Sequence, residues 1–108
     1  MDRSGRLLVC TTTLPQRAAA EHIAEALVRE DLAACAQVGA DLVSFYRWEG
    51  EVQRDQEVQL TLKVATDRWE ACARRLVELH PHDVPQVVAW WADRVERRYL
   101  LWAEGGEA

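Results

Sequence analysis

HPHD, residues 80–83, sets two imidazoles around a proline with a carboxylate beside them. Imidazole and carboxylate bind divalent cations and act in general acid–base chemistry. In an extended X-Pro-X segment alternate residues face the same way, so His80 and His82 can share a side. Against chelation, H-P-H is not a tight metal motif, and Pro81 fixes only its own φ. The favoured reading is a helix stop: the residue before a proline is pushed to extended geometry. His80 then sits near the negative end of the helix dipole, where it caps carbonyls or lines a cleft. Asp83 adjoins His82 in sequence, which does not establish a catalytic hydrogen bond.

Cys10 and Cys35 are the softer candidates, because thiolate with imidazole suits copper or zinc. Cys10 falls in a core strand and Cys35 in the short apolar LAAC segment, and free cysteine is ordinarily a small buried hydrophobe. With Cys72 the cysteines number three, widely spaced and without CxxC. A disulfide framework or zinc finger is not expected from this pattern, and in a reducing compartment the thiols stay free. Lys63 is the only lysine beside twelve arginines. A lysine is a compact point charge rather than a planar fork, so Lys63 is expected either to pair with Glu57 or another acid, or to contact an anionic ligand.

No Gly-rich phosphate loop, GxSxG or HExxH is present, and nothing local activates a Cys or His nucleophile, so an enzyme is not expected. The net charge of −5 over 108 residues argues against nucleic-acid binding. No apolar run approaches the ~20 residues that span a bilayer, and the start lacks a secretory h-region, so a cytoplasmic protein without membrane contact is expected.

The elements that must position these residues follow from periodicity. Residues 6–13 read as a strand, and 16–31 as a helix with Ala20, Ile23, Ala24, Leu27 and Val28 on one stripe, leaving His22 at the surface. Residues 32–48, interrupted at Gly39, and 52–66 read as two long strands joined by a turn at 49–50. In the first, Leu42, Ser44, Tyr46 and Trp48 share one face, and Val43, Phe45, Arg47 and Glu49 the other. Both faces carry apolar groups, so a neighbouring subunit is the natural cover. In the second, Val58, Leu60, Leu62 and Val64 form the core face, and Glu57, Gln59, Thr61 and Lys63 oppose it. Residues 67–80 read as a second helix, with an Asp67–Glu70 capping box and Trp69, Ala73, Leu76, Val77 and His80 on its face. Residues 84–92 read as a last strand and 95–104 as a short helix. The order β-α-β-β-α-β plus a terminal helix predicts an α+β, ferredoxin-like single domain spanning 1–108.

LAAC at 32–35, SFYRWEGEV at 44–52, EVQLTLK at 57–63, HPHDVPQVV at 80–88 and YLLW at 99–102, in this order, resemble the CutA family, named for divalent cation tolerance. The resemblance runs from about residue 7 to residue 103. It implies a non-enzymatic homotrimer built through long β-hairpins, similar to the PII signalling trimers, with ligand clefts between subunits. Those clefts would be lined by Tyr46, Trp48, Glu57, Lys63, His82 and Asp83, with His80 at their edge. It also implies weak binding of copper or another divalent cation through Cys10, Cys35 and His80, with no organic cofactor. A small anionic ligand in the same clefts is the alternative. The chain departs from the family where His82 and Asp83 replace tyrosine and glutamate, where Gln37 replaces asparagine, and where Ala89-Trp90-Trp91 replaces Ala-Leu-Pro. Cys72 has no family counterpart.

Overall fold

The computed structural model describes residues 5–105, together with the backbone of residues 2 and 3. Strand β1 (Leu7–Leu14) leads to helix α1 (Arg17–Arg29). Strands β2 (Cys35–Trp48) and β3 (Glu51–Ala65) follow, then α2 (Trp69–Leu79), β4 (Val88–Trp91) and α3 (Arg97–Ala103). Residues 2–3 pair with Arg94–Val95 in a two-stranded ladder of their own. The four strands β1 to β4 form an antiparallel sheet in the order β2-β3-β1-β4. This is the ferredoxin-like arrangement that the element order predicts.

Alternation along the strands builds the core. Cys10 and Leu14 of β1 face Leu60, Leu62 and Val64 of β3, and the helices close over them with Ile23, Leu27, Cys72 and Leu76. Each fully buried leucine contributes about 2 kcal/mol by leaving water. Helix α1 turns out of the core through two bonds: Leu32 N–H donates to the Leu27 carbonyl at 2.9 Å and Asp31 N–H to that of Val28 at 3.0 Å. This is the Schellman pattern, and Asp31 takes the left-handed position with φ 59°.

The helices differ in detail from the sequence reading. Val28 and Val77 lie at the surface, and Cys72 rather than Val77 enters the core. The capping box is replaced by a 3-10 turn over Thr66–Arg68; Arg68 stands at the N-cap and no side chain caps α2. The last strand is four residues long, because Leu8 to Thr11 alone offer it partners.

On the other face of the sheet, α3 covers one end, where Leu7 packs with Val95, Leu100 and Ala103. The hairpin runs far beyond the opposite end. Pairing with β1 stops at Leu14–Val58, whereas β2 and β3 remain paired from Asp41–Val58 out to Trp48–Glu51. Residues 42–57 are therefore a two-stranded arm, and the molecule measures 47 × 25 × 22 Å. A bulge between Val38 and Asp41 sets the arm's register. Both faces of the arm carry exposed apolar side chains among charged ones, with Phe45 at 68% exposed on one and Trp48 at 49% on the other.

Candidate functional site

A groove of ≈ 810 Å³ runs along the arm beside the turn that follows α2. Strand alternation and the turn bring together Tyr46, Trp48, Glu57, His82 and Asp83, which the sequence reading grouped, with Phe45 and Asp55, which it did not. Asp55 was legible in principle: it lies two residues from Glu57 and so on the same face of β3. Tyr46 pairs with Gln53, and Ser44 pairs with Asp55, so Tyr46 and Asp55 are diagonal neighbours across the hairpin. The Tyr46 hydroxyl donates to the Asp55 carboxylate. That bond, together with the negative charge around it, holds the phenol's pKa above its usual value. The carboxylates of Asp55, Glu57 and Asp83 give the groove a negative field. Among the described residues no lysine or arginine lines it.

Lys63 lies outside the groove. It faces away from the core with Glu57, Gln59 and Thr61, as the alternation predicts, but its Nζ donates to Gln37 Oε1 at 2.7 Å rather than to Glu57. Gln37 and Lys63 meet because Cys35 pairs with Lys63 and Gln37 with Thr61.

His80 is buried beneath the groove, and its ring is engaged on both nitrogens. Nε2 lies 3.0 Å from both Thr12 Oγ1 and the Thr13 carbonyl oxygen. Nδ1 accepts from the His82 backbone N–H at 3.1 Å. With Nδ1 an acceptor, the proton sits on Nε2 and is donated toward Thr13. The ring therefore does not cap the carbonyls of α2, as the sequence suggested; it pins the helix end to β1. The His80 and His82 rings lie 4.9 Å apart and tilted by 48°.

The three sequence-derived metal candidates do not meet in one chain. Cys10 pairs with Leu62 and Cys35 with Lys63, so the two thiols emerge on opposite faces of the sheet. Cys10 is fully buried, which pushes its pKa up to about 11 against a weak opposing bond from Val88. Cys72, also buried, is pushed to about 12. Neither is a thiolate at neutral pH. Cys35 neighbours the Tyr99 hydroxyl near α3, where burial and the thiol together raise the phenol's pKa. Among the described residues no three His, Cys, Asp or Glu side chains converge as a metal cage. Within the groove the solvent-accessible donors are His82, Asp83 and the other carboxylates, spread along its length, and Cys35 is partly exposed elsewhere. Also among the described residues, no helix is long and apolar enough to cross a membrane.

The comparisons with known proteins agree with this architecture. The family model described as CutA1 divalent ion tolerance protein matches residues 8–105. The divalent-cation tolerance protein CutA of Thermus thermophilus is 43% identical over 94 residues, covering 87% of this chain and 91% of the relative. That of Pyrococcus horikoshii is 38% identical over 96 residues, covering 89% and 93%. The crystal structure of CutA from Xylella fastidiosa superposes with a TM-score of 0.90 at 34% identity, covering 94% of this chain and 97% of that one. On the match of the family model across nearly the whole chain, the protein belongs to the CutA1 divalent ion tolerance family.

Proposed function

We propose that this chain works as a non-enzymatic cytoplasmic homotrimer that binds divalent cations weakly, copper foremost, at its acidic grooves. The observation that carries the assembly is the arm. A two-stranded ribbon with large apolar side chains exposed on both faces is at best marginally stable alone in water. The sheet also ends in two free edges, β2 on one side and β4 on the other. Unpaired edges invite pairing, and joining one edge type to the other head to tail builds a ring where the rotation between copies closes. A ring of three is the member of that series implied by the family resemblance.

The groove's charge favours a cation over a small anion. An anion would have to be held at Lys63, away from the groove. The dispersed donors support weak rather than tight metal binding: His82 and Asp83 would contact a copper ion, and solvent or a neighbour would complete its shell. On this reading the metal contact lies away from Cys10, which is buried, and from His80, whose ring nitrogens are engaged. The test of assembly is the melting transition measured across protein concentrations. A midpoint that rises with concentration supports an obligate oligomer; a constant midpoint for a species of monomer mass contradicts it.

A further inference from the structure

We propose that the two faces of the arm are complementary halves of one interface, each copy of the chain laying its basic face on the acidic face of the next; this rests on the assembly proposed above and names its contact. Strand pairing sorts the arm's charges by sign. Phe45 pairs with Arg54 and Arg47 with Val52 on one face, which carries two arginines and no acid. Leu42 pairs with Glu57, Ser44 with Asp55 and Trp48 with Glu51 on the other, which carries three acids and no base. Both faces also expose large apolar side chains, Phe45 and Val52 beside the arginines and Tyr46 and Trp48 beside the acids. Among the described residues every ion pair lies elsewhere, and none uses a charge between residues 42 and 57. Arg47 and Arg54 are exposed and stand on the opposite side of the ribbon from the arm's acids.

A two-fold contact through either face would set that face against its own copy, arginine on arginine or acid on acid. Setting one face against the other matches the signs. It also matches the chemistry: arginine forks take carboxylates and stack on aromatic rings, and Tyr46 and Trp48 stand among the acids. The arm wall of the groove is then covered by a second copy's arginine face, while His82 and Asp83 stay on the turn beside it. Because the two halves differ, the contact is heterologous, the type that builds rings rather than two-fold dimers.

The experiment is sedimentation velocity of the full chain across protein concentrations, for the parent and three charge variants. Arg47→Glu with Arg54→Glu makes both faces acidic. Glu51→Arg with Glu57→Arg makes both basic and leaves the Tyr46–Asp55 bond in place. The third variant carries all four substitutions, so the faces are again opposite in sign with their sides exchanged. All four positions lie outside the core. Each two-site variant should raise the concentration at which the oligomer dissociates by about a hundredfold, because like charges facing across an interface are strongly unfavourable. The four-site variant should return to within about tenfold of the parent. Two-site variants that keep the parent mass and dissociation range overturn the inference and leave the assembly standing. So does a four-site variant no better assembled than its two parts, whether these are folded monomers or unfolded. A parent chain that is itself a monomer overturns the assembly and the inference together.

Discussion

The backbone N–H of His82 donates to Nδ1 of His80 at 3.1 Å, across the proline that separates them. One bond thereby fixes the tautomer of a buried imidazole and the entry of the turn that floors the groove. His80→Ala removes this acceptor and the donor to the Thr13 carbonyl together. It should cost about 2–3 kcal/mol of stability, with His80→Gln costing less, as measured by denaturant midpoints.

Burial also makes stability depend on pH. Desolvation lowers the pKa of His80 below 6.5, and the charge of His82 acts in the same direction, against the Thr13 carbonyl and Glu57. The unfolded chain therefore takes up a proton that the folded chain refuses. The resulting stabilisation is complete above about pH 6.5 and shrinks as the pH falls below it, until the folded-state pKa is passed. In chelator-treated protein the His80→Gln variant should lose this part of the pH dependence. A variant with the parent slope between pH 7 and 5 would assign that slope to other groups.

Thiol labelling separates the cysteines. Cys10 and Cys72 are buried with pKa values pushed to about 11 and about 12, so neither should react with a disulfide reagent in the native protein near neutral pH. Denaturation should expose all three thiols. Cys10→Ser should leave copper uptake unchanged, because the thiol reaches no accessible donor. Rapid native labelling of three thiols, or copper uptake lost in Cys10→Ser, would contradict the packing described.

Periodicity revealed the strand order, the core face of β3 and the two-faced apolar hairpin, because these depend on residues close in sequence. Other features depended on distant partners. Thr12 and Thr13 hold His80 from nearly the other end of the chain, and no local pattern announces such a bond. Gln37 reaches Lys63 through strand pairing, whereas the sequence offered Glu57, another acid or an anionic ligand on charge alone. Val77 was assigned to the core although the centre of the helix stripe runs through Cys72 and Leu76. The groove's grouping of Tyr46, Trp48 and Glu57 was readable from strand alternation; Lys63 shares a face with Glu57 but lies too far along β3 to join them.

The tip of the arm carries strain. Glu49 and Gly50 both have positive φ, 52° and 79°, the signature of a two-residue hairpin turn that favours Asn-Gly. Glu49→Asn should stabilise the protein by about 0.5–1 kcal/mol, and Gly50→Ala should destabilise it by about 1 kcal/mol. Equilibrium unfolding of the two variants checks both signs.

If copies of the chain cover the arm, charge placed there should break the assembly. Tyr46→Glu combined with Trp48→Glu removes both aromatic rings from a face that already carries Asp55 and Glu57, outside the core of Leu14, Ile23, Leu60 and Leu76. The double variant should sediment as a smaller species at micromolar concentration. An unchanged sedimentation coefficient would remove this face from the interface.

Native mass spectrometry of the full chain, with and without one equivalent of copper per chain, tests the central claim most directly. The account predicts a trimer in both samples, with partial copper uptake that the double variant Cys10→Ser/Cys35→Ser retains. A monomer at micromolar concentration would contradict the assembly and, with it, the reading of the groove as a cleft between subunits.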